Sequence, residues 1–216
     1  MELQFDPEKA VARLRRVDRQ LARVIKQAGP FTHRPQKMQS PFQSLLRAIV
    51  SQQLSGKAAE SIFRRVSELY PARSALKPEA VLKTPDQKLR AAGLSRAKVL
   101  AVKDLSAKVL EGAVPTLAKL KKMDDEEIVS RLIEVRGVGR WTVEMMLMFR
   151  LGRPDVLPAT DFGVRKGFML TYGTRNMPTP KALLEHGQLW RPFRSVASWY
   201  LWRAVDLSRQ KTEVKV

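Results

Sequence analysis

The sequence predicts an all-α protein built of two packed helical lobes. Three observations carry that reading. Apolar residues recur at helical spacing along nearly the whole chain, Ser, Thr and Asp stand where those runs begin, and no segment alternates apolar with polar residues as a half-buried strand does. There is no repeat at solenoid spacing and no long low-complexity segment. A chain of 216 residues has room for one substantial core or two intimately packed lobes.

The first helix opens at Asp6-Pro7-Glu8, which supplies an N-cap, a proline at the first helical position and an early acid. Val11, Leu14, Val17, Leu21, Val24 and Ile25 continue one apolar face as far as Gly29-Pro30. A basic, proline-containing connector over residues 31–39 leads to the start signal Ser40-Pro41 and the apolar face of Phe42, Leu45, Leu46, Ile49 and Val50. Ser55 begins a helix through Leu69. Thr84-Pro85-Asp86-Gln87 has the spacing of a capping box, and Ser95 begins a helix through about Glu111. Asp124 with Glu127 caps the helix that carries Ile128 and Leu132, and another begins at Arg140. Later helices are expected over residues 161–172, 179–186 and 191–207, with residues 208–216 as a frayed tail.

Between Leu132 and Arg140 stands Gly137-Val138-Gly139. Two glycines one residue apart let the backbone reverse tightly and admit another group close to it. The helix starting at Arg140 then points its first N–H groups out of the turn, an arrangement that binds anions. Arg136, Arg140 and Thr142 would add side-chain donors to a phosphate held there. The same residues also read as an ordinary interhelical turn with a glycine C-cap.

Composition favours the anion. Lys and Arg number 40 against 21 Asp and Glu, so the formal charge is 40 − 21 = +19, which points to a polyanionic partner. Charge alone does not separate DNA from RNA or anionic lipid. No apolar run approaches the ~20 residues of a spanning helix, so no membrane partner is expected. The opening Met1-Glu2-Leu3-Gln4-Phe5-Asp6-Pro7 does not resemble a signal or transit peptide, and a cytoplasmic location is expected. The absence of cysteine excludes disulfides, a thiol nucleophile, thiolate zinc and cysteine-held iron–sulfur clusters. His33 and His186 are the only histidines, too few for a histidine-rich metal site. Any chemistry must use carboxylates, hydroxyls, amines or backbone groups. The charge runs Arg13/Arg15/Arg16, Arg64/Arg65 and Lys119/Lys121/Lys122 read as solvated helix faces.

Three ordered motifs resemble a known family: the stretch from Phe42 through Ser51-Gln52-Gln53-Leu54-Ser55, the glycine hairpin, and Leu157-Pro158-Ala159-Thr160-Asp161. Together, over about residues 41–207, they resemble the helix-hairpin-helix DNA glycosylases, nearest to the DNA-3-methyladenine glycosylase II (AlkA-like) branch. The resemblance implies a single catalytic unit whose cleft lies between a central lobe (41–158) and a lobe formed by both chain ends (1–40 with 159–216). No N-terminal β domain is expected. It further implies a monomer that flips and excises alkylated purines, such as 3-methyladenine and 7-methylguanine, from double-stranded DNA. The alternatives are another lesion specificity or a protein that only grips duplex DNA.

Under this resemblance Asp161 is the catalytic carboxylate, either stabilising charge on the sugar or orienting water, although aspartate there also reads as a plain N-cap. Related bifunctional enzymes carry a lysine where this chain has Trp141. An indole forms no Schiff base, so a monofunctional enzyme without lyase activity is expected. Trp141, Trp202 and Met145 occupy pocket positions, with Trp202 equally readable as core. Trp190, Phe193 and Trp199 read as core. Gln53 or Leu54 falls at the side chain inserted into the gap left by the flipped nucleotide, or else the segment is a turn whose glutamines bond backbone groups. No cofactor is required, but the carbonyls of Ile133, Val135 and Val138 are implied to hold a monovalent cation, Na+ or K+, that bridges the hairpin to phosphate.

Overall fold

A computed structural model describes residues 3–38, 40–70 and 76–213. Met1 and Glu2, Gln39 of the connector, and residues 214–216 of the expected tail lie outside them. The fold is all-α and two-lobed, with no β-strand among the described residues. One unit comprises Met1–Lys37 with Glu144–Val216, the other Met38–Val143.

The first unit begins with two helices where periodicity predicts one, α1 (Pro7–Val17) and α2 (Arg19–Ala28). The apolar face does run on, since Leu14, Leu21 and Ile25 are all buried. The break is local: Asp18 adopts an extended backbone, and its side chain accepts from the amides of Gln20 and Leu21 to cap α2. A capping aspartate competes with helix continuation, and apolar spacing does not report that competition.

The second unit holds α3 (Pro41–Ser51), α4 (Gly56–Glu68), α5 (Pro78–Lys83), α6 (Asp86–Ala91), α7 (Arg96–Leu110), α8 (Leu117–Leu120) and α9 (Asp125–Leu132), followed by the start of α10 (Arg140–Phe149). Its core forms where α7, through Val99, Val102 and Leu105, meets α3, which buries Leu45, Leu46, Ile49 and Val50. Ser55 and Ser95 cap α4 and α7 as expected, accepting from Ala58 and Lys98 amides. Thr84 does not cap α6. Its hydroxyl bonds Ala80 carbonyl and Tyr70, closing α5 instead, and Pro85 takes the cap position. Asp124 stands at the N-cap of α9 without a side-chain capping bond.

The rest of the first unit is α11 (Phe162–Tyr172), α12 (Pro180–His186), a 3-10 turn over Gly187–Trp190, and α13 (Arg194–Glu213). Pro192 disfavours helix at the residue before it, so α13 starts later than expected. It continues through six residues of the expected frayed tail. Residues 144–158, which the resemblance groups with the central lobe, belong to the unit of the chain ends. Hydrogen bonds explain why. Phe149 carbonyl accepts from Gln36 amide, Leu151 carbonyl from the Gln4 side chain, and Pro154 carbonyl from Ser195 amide. The buried core of this unit includes Leu14, Leu21, Val164, Trp190, Tyr200 and Leu201.

Two devices set the position of α11. At its far end, Asp18 Oδ2 accepts from Tyr172, from Trp190 Nε1 at 2.8 Å and from His186 Nε2 at 3.3 Å. Burial alone would raise the Asp18 pKa, but bonds from His186, the Leu21 amide, Tyr172 and Trp190 outweigh it and hold the carboxyl well below the usual range. Along its length α11 packs on α13, and Gly167 makes that crossing close: a Cβ there would lie 2.0 Å from the Leu201 carbonyl oxygen.

Candidate DNA-binding and catalytic site

The hairpin joins α9 to α10. Gly137 has φ +77°, in the left-handed region that glycine occupies without Cβ strain. Gly139 does not need that freedom. An added Cβ would meet nothing within 4 Å, so its glycine leaves space on the outer side of the turn. Two contacts brace the reversal: Asp104 Oδ2 on α7 accepts from Arg136 amide at 2.7 Å, and Val135 carbonyl accepts from Val138 amide at 3.0 Å. Helix α10 then starts with Val143 amide bonded to Gly139 carbonyl.

Arg136, Gly137, Gly139 and Arg140 are exposed, as an anion site requires. Thr142 is buried, which removes its hydroxyl from the exposed mouth. The Arg140 guanidinium pairs with Glu126, so a phosphate would have to exchange with that carboxylate. Among the carbonyls proposed for a cation, Val135 already accepts one hydrogen bond, and a carbonyl oxygen has a second lone pair to offer.

The loop after α3 lies in the same unit. Gln53 has φ 58°, an uncommon conformation for a residue with a Cβ, and both it and Leu54, 37% exposed, face outward. Beneath them the Gln52 side chain donates to Gly137 carbonyl at 2.7 Å, joining the loop to the hairpin. Lys98 Nζ donates to Val50 carbonyl at 2.7 Å and Gln52 carbonyl at 2.8 Å. Burial pulls the Lys98 pKa below the usual lysine value.

Asp161 belongs to the other unit, at the N-cap of α11. The preceding loop is fixed by α13: Ser195 Oγ accepts from Val156 amide and donates to Arg153 carbonyl, and Arg194 grips the Asp155 carboxylate at 2.7 and 3.0 Å. Asp161 Oδ1 accepts from Val164 amide at 2.7 Å, so the plain N-cap reading holds. The same oxygen accepts from Trp202 Nε1 at 2.8 Å. The carboxylate is thus aimed by two donors from two helices. Trp202 is half-buried, and its ring stacks on Phe149 at 5.7 Å, which in turn meets the edge of His33 at 4.9 Å. Burial pulls the His33 pKa below that of free imidazole, against the raising effect of its bond to Met148 carbonyl.

Sequence reasoning missed Gly163, Phe149, His33, Lys98 and Asp104, whereas Gln52, bonded to the Gly137 carbonyl, fits the reading of a turn whose glutamines bond backbone groups. Only Gly163 left a legible signal, the pair Gly163 and Gly167 one helical turn apart just after Asp161. A Cβ at Gly163 would stand 2.7 Å from Trp202 Cδ1, so this glycine makes room for the indole. Phe162, beside the carboxylate, is 66% exposed. Trp141, 45% exposed, and half-buried Met145 stand four residues apart on one face of α10. Trp190 is fully buried, and Phe193 and Trp199 pack on the core as expected.

Comparison with known proteins accords with this architecture. Residues 46–192 match the HhH-GPD superfamily of base excision DNA repair proteins. DNA-3-methyladenine glycosylase 1 of Schizosaccharomyces pombe is 34% identical over 201 residues, covering 93% of this chain and 88% of that protein. Among solved structures, the Schizosaccharomyces pombe 3-methyladenine DNA glycosylase in complex with abasic DNA superposes with a TM-score of 0.78 at 35% identity, covering 90% of this chain and 95% of its own. A DNA-3-methyladenine glycosidase from Bacillus halodurans gives 0.80 at 35% identity, covering 94% and 91%. With the family matched across both the hairpin and Asp161, and whole-length relatives sharing the helical fold, the chain belongs to the HhH-GPD superfamily, in its DNA-3-methyladenine glycosylase II subfamily.

Proposed function

We propose that this protein is a monofunctional DNA glycosylase that hydrolyses the N-glycosidic bond of alkylated purines in double-stranded DNA. The observation that carries the chemistry is the double hold on Asp161 Oδ1, from Val164 amide and Trp202 indole, which fixes a carboxylate at a helix N-terminus. As the bond from C1′ to the purine nitrogen breaks, the electron pair leaves with the base and the sugar gains oxocarbenium character. A rigid negative charge nearby stabilises that cation more than the neutral ground state. Water adds to C1′ and gives up one proton, leaving an abasic sugar.

A purine methylated at N3 or N7 is cationic and departs neutral, so it needs no acid on the leaving group. The indole face of Trp202, which bonds Asp161, suits such a base through cation–π attraction, with Met145 an adaptable apolar contact. Related bifunctional enzymes carry a lysine after the hairpin where this chain has Trp141, and an indole supplies no amine for strand cleavage.

The hairpin residues Arg136, Gly137, Gly139 and Arg140 would hold phosphate, and Gln53 or Leu54 would fill the gap left by the flipped nucleotide. The carbonyls of Ile133, Val135 and Val138 would hold a monovalent cation, for which neutral oxygen donors are suited, adding positive charge beside that phosphate.

The test is release of 3-methyladenine and 7-methylguanine from methylated duplex DNA by the intact chain and by Asp161→Asn. Release is expected from the intact chain and lost in a folded, DNA-binding variant, with nicks appearing only after alkali. Binding without release of either base would overturn the alkylpurine assignment.

A further inference from the structure

We infer that Gln52 and Lys98 form a latch that ties the wedge loop to the hairpin, so that gripping phosphate and filling the gap in the stack are one coupled event. The inference rests on the reading of Gln53 and Leu54 as the wedge. Three contacts within one unit build it: Gln52 Nε2 to Gly137 carbonyl, and Lys98 Nζ to the carbonyls of Val50 and Gln52.

Each contact constrains something that would otherwise move. The peptide between Gly137 and Val138 is pinned at both ends, its carbonyl by Gln52 and its N–H by Val135 carbonyl at 3.0 Å. A peptide held so cannot flip, which fixes the backbone that leads into Gly139. Lys98 sits at the C-terminus of α3, where a cation meets the negative end of the helix and the last carbonyls need donors. It thereby stops α3 at Ser51 and throws the chain into the strained Gln53 conformation at φ 58°. Strain of this kind persists only where neighbouring contacts enforce it. Gln52 serves both halves, since its carbonyl is held by Lys98 while its side chain holds the hairpin. A loop tethered in this way meets the duplex already shaped and loses less freedom on insertion.

The latch predicts behaviour that independent packing of loop and hairpin does not. The probe is a duplex with a tetrahydrofuran abasic-site analogue beside 2-aminopurine, read at saturating full-length protein so that occupancy does not enter. Replacing both Gln53 and Leu54 by Ala should abolish the fluorescence change, which establishes the wedge. Gln52→Leu and Lys98→Met should each reduce it about threefold or more, as expected for loss of one or two hydrogen bonds, with Lys98→Arg restoring most of it.

The decisive comparison is a double-mutant cycle. Gly137→Ala should lower the signal in the parent but add nothing in the Gln52→Leu background. Gln52 is only half-buried, so its variant carries the test if Lys98→Met fails to fold. Independent, multiplicative losses in the cycle, or full signal in both single variants while the double wedge variant is silent, overturn the latch alone. No fluorescence change with the parent protein overturns the wedge reading and the latch together.

Discussion

Replacing Gly163 by Ala perturbs the candidate site through one methyl group. The new Cβ would lie 2.7 Å from Trp202 Cδ1, 2.8 Å from its Nε1 and 3.1 Å from Asp161 Oδ1. Carbon atoms rest at about 3.5–4.0 Å, so the indole must withdraw by roughly 1 Å. Its bond to Asp161, now 2.8 Å, would then exceed hydrogen-bond range. Two opposing terms act on stability. Crowding costs about 1–3 kcal/mol, while alanine is the better helix former by about 1 kcal/mol, so packing and propensity together cost up to about 2 kcal/mol, and the lost indole bond adds to that. Activity loses a hydrogen bond to a charged group, about 1.5–3 kcal/mol, or roughly 10- to 100-fold in the rate of base release. Single-turnover release of 3-methyladenine from methylated duplex, set beside urea unfolding of the same protein, measures both. A folded Gly163→Ala that releases base at the parent rate would refute the claim that Trp202 aims Asp161.

Gly167→Ala, four residues on, should behave oppositely: its Cβ meets Leu201 backbone oxygen at 2.0 Å, so α11 and α13 must part, and urea unfolding should show a loss of about 3 kcal/mol or more. Gly137→Ala places a Cβ on a residue at φ +77° and should cost about 1–2 kcal/mol of stability. Gly139→Ala should change stability by less than about 1 kcal/mol yet weaken duplex binding, because its Cβ points into open space on the outer side of the turn; unchanged affinity in a filter-binding titration would remove phosphate from that place. Asp18→Asn should destabilise the protein by about 2–4 kcal/mol at neutral pH. The folded Asp18 pKa lies below its unfolded value of about 3.9, so the carboxylate's contribution is complete above that pH and fades as pH falls through the folded pKa. The gap between parent and variant should narrow between neutral pH and pH about 3; a gap independent of pH would count against the network.

The sequence by itself determined the helical class and most helix starts, because Ser55, Ser95, Thr179 and Asp161 cap locally and apolar spacing is a property of neighbours along the chain. It also singled out the hairpin and Asp161, since two glycines beside a helix start and a motif-borne aspartate are legible one residue at a time. It did not reveal the break at Asp18. The helical period passes through that residue without interruption, and its partners Tyr172, His186 and Trp190 lie more than 150 residues away.

What only the tertiary structure decided was which side chains act on one another. Trp202 bonds Asp161 across 41 residues, Gln52 meets Gly137 across 85, and Lys98 reaches Val50 and Gln52 from a separate helix. The same holds for Thr142 and Arg140, whose burial and pairing with Glu126 set apart residues that the hairpin sequence groups alike as phosphate donors. The physical reason is common to all of these. A hydrogen bond or a packing contact depends on distances of a few ångströms, and only the folding of α11 against α13, or of α7 beneath α3, brings residues so far apart in the chain within that range.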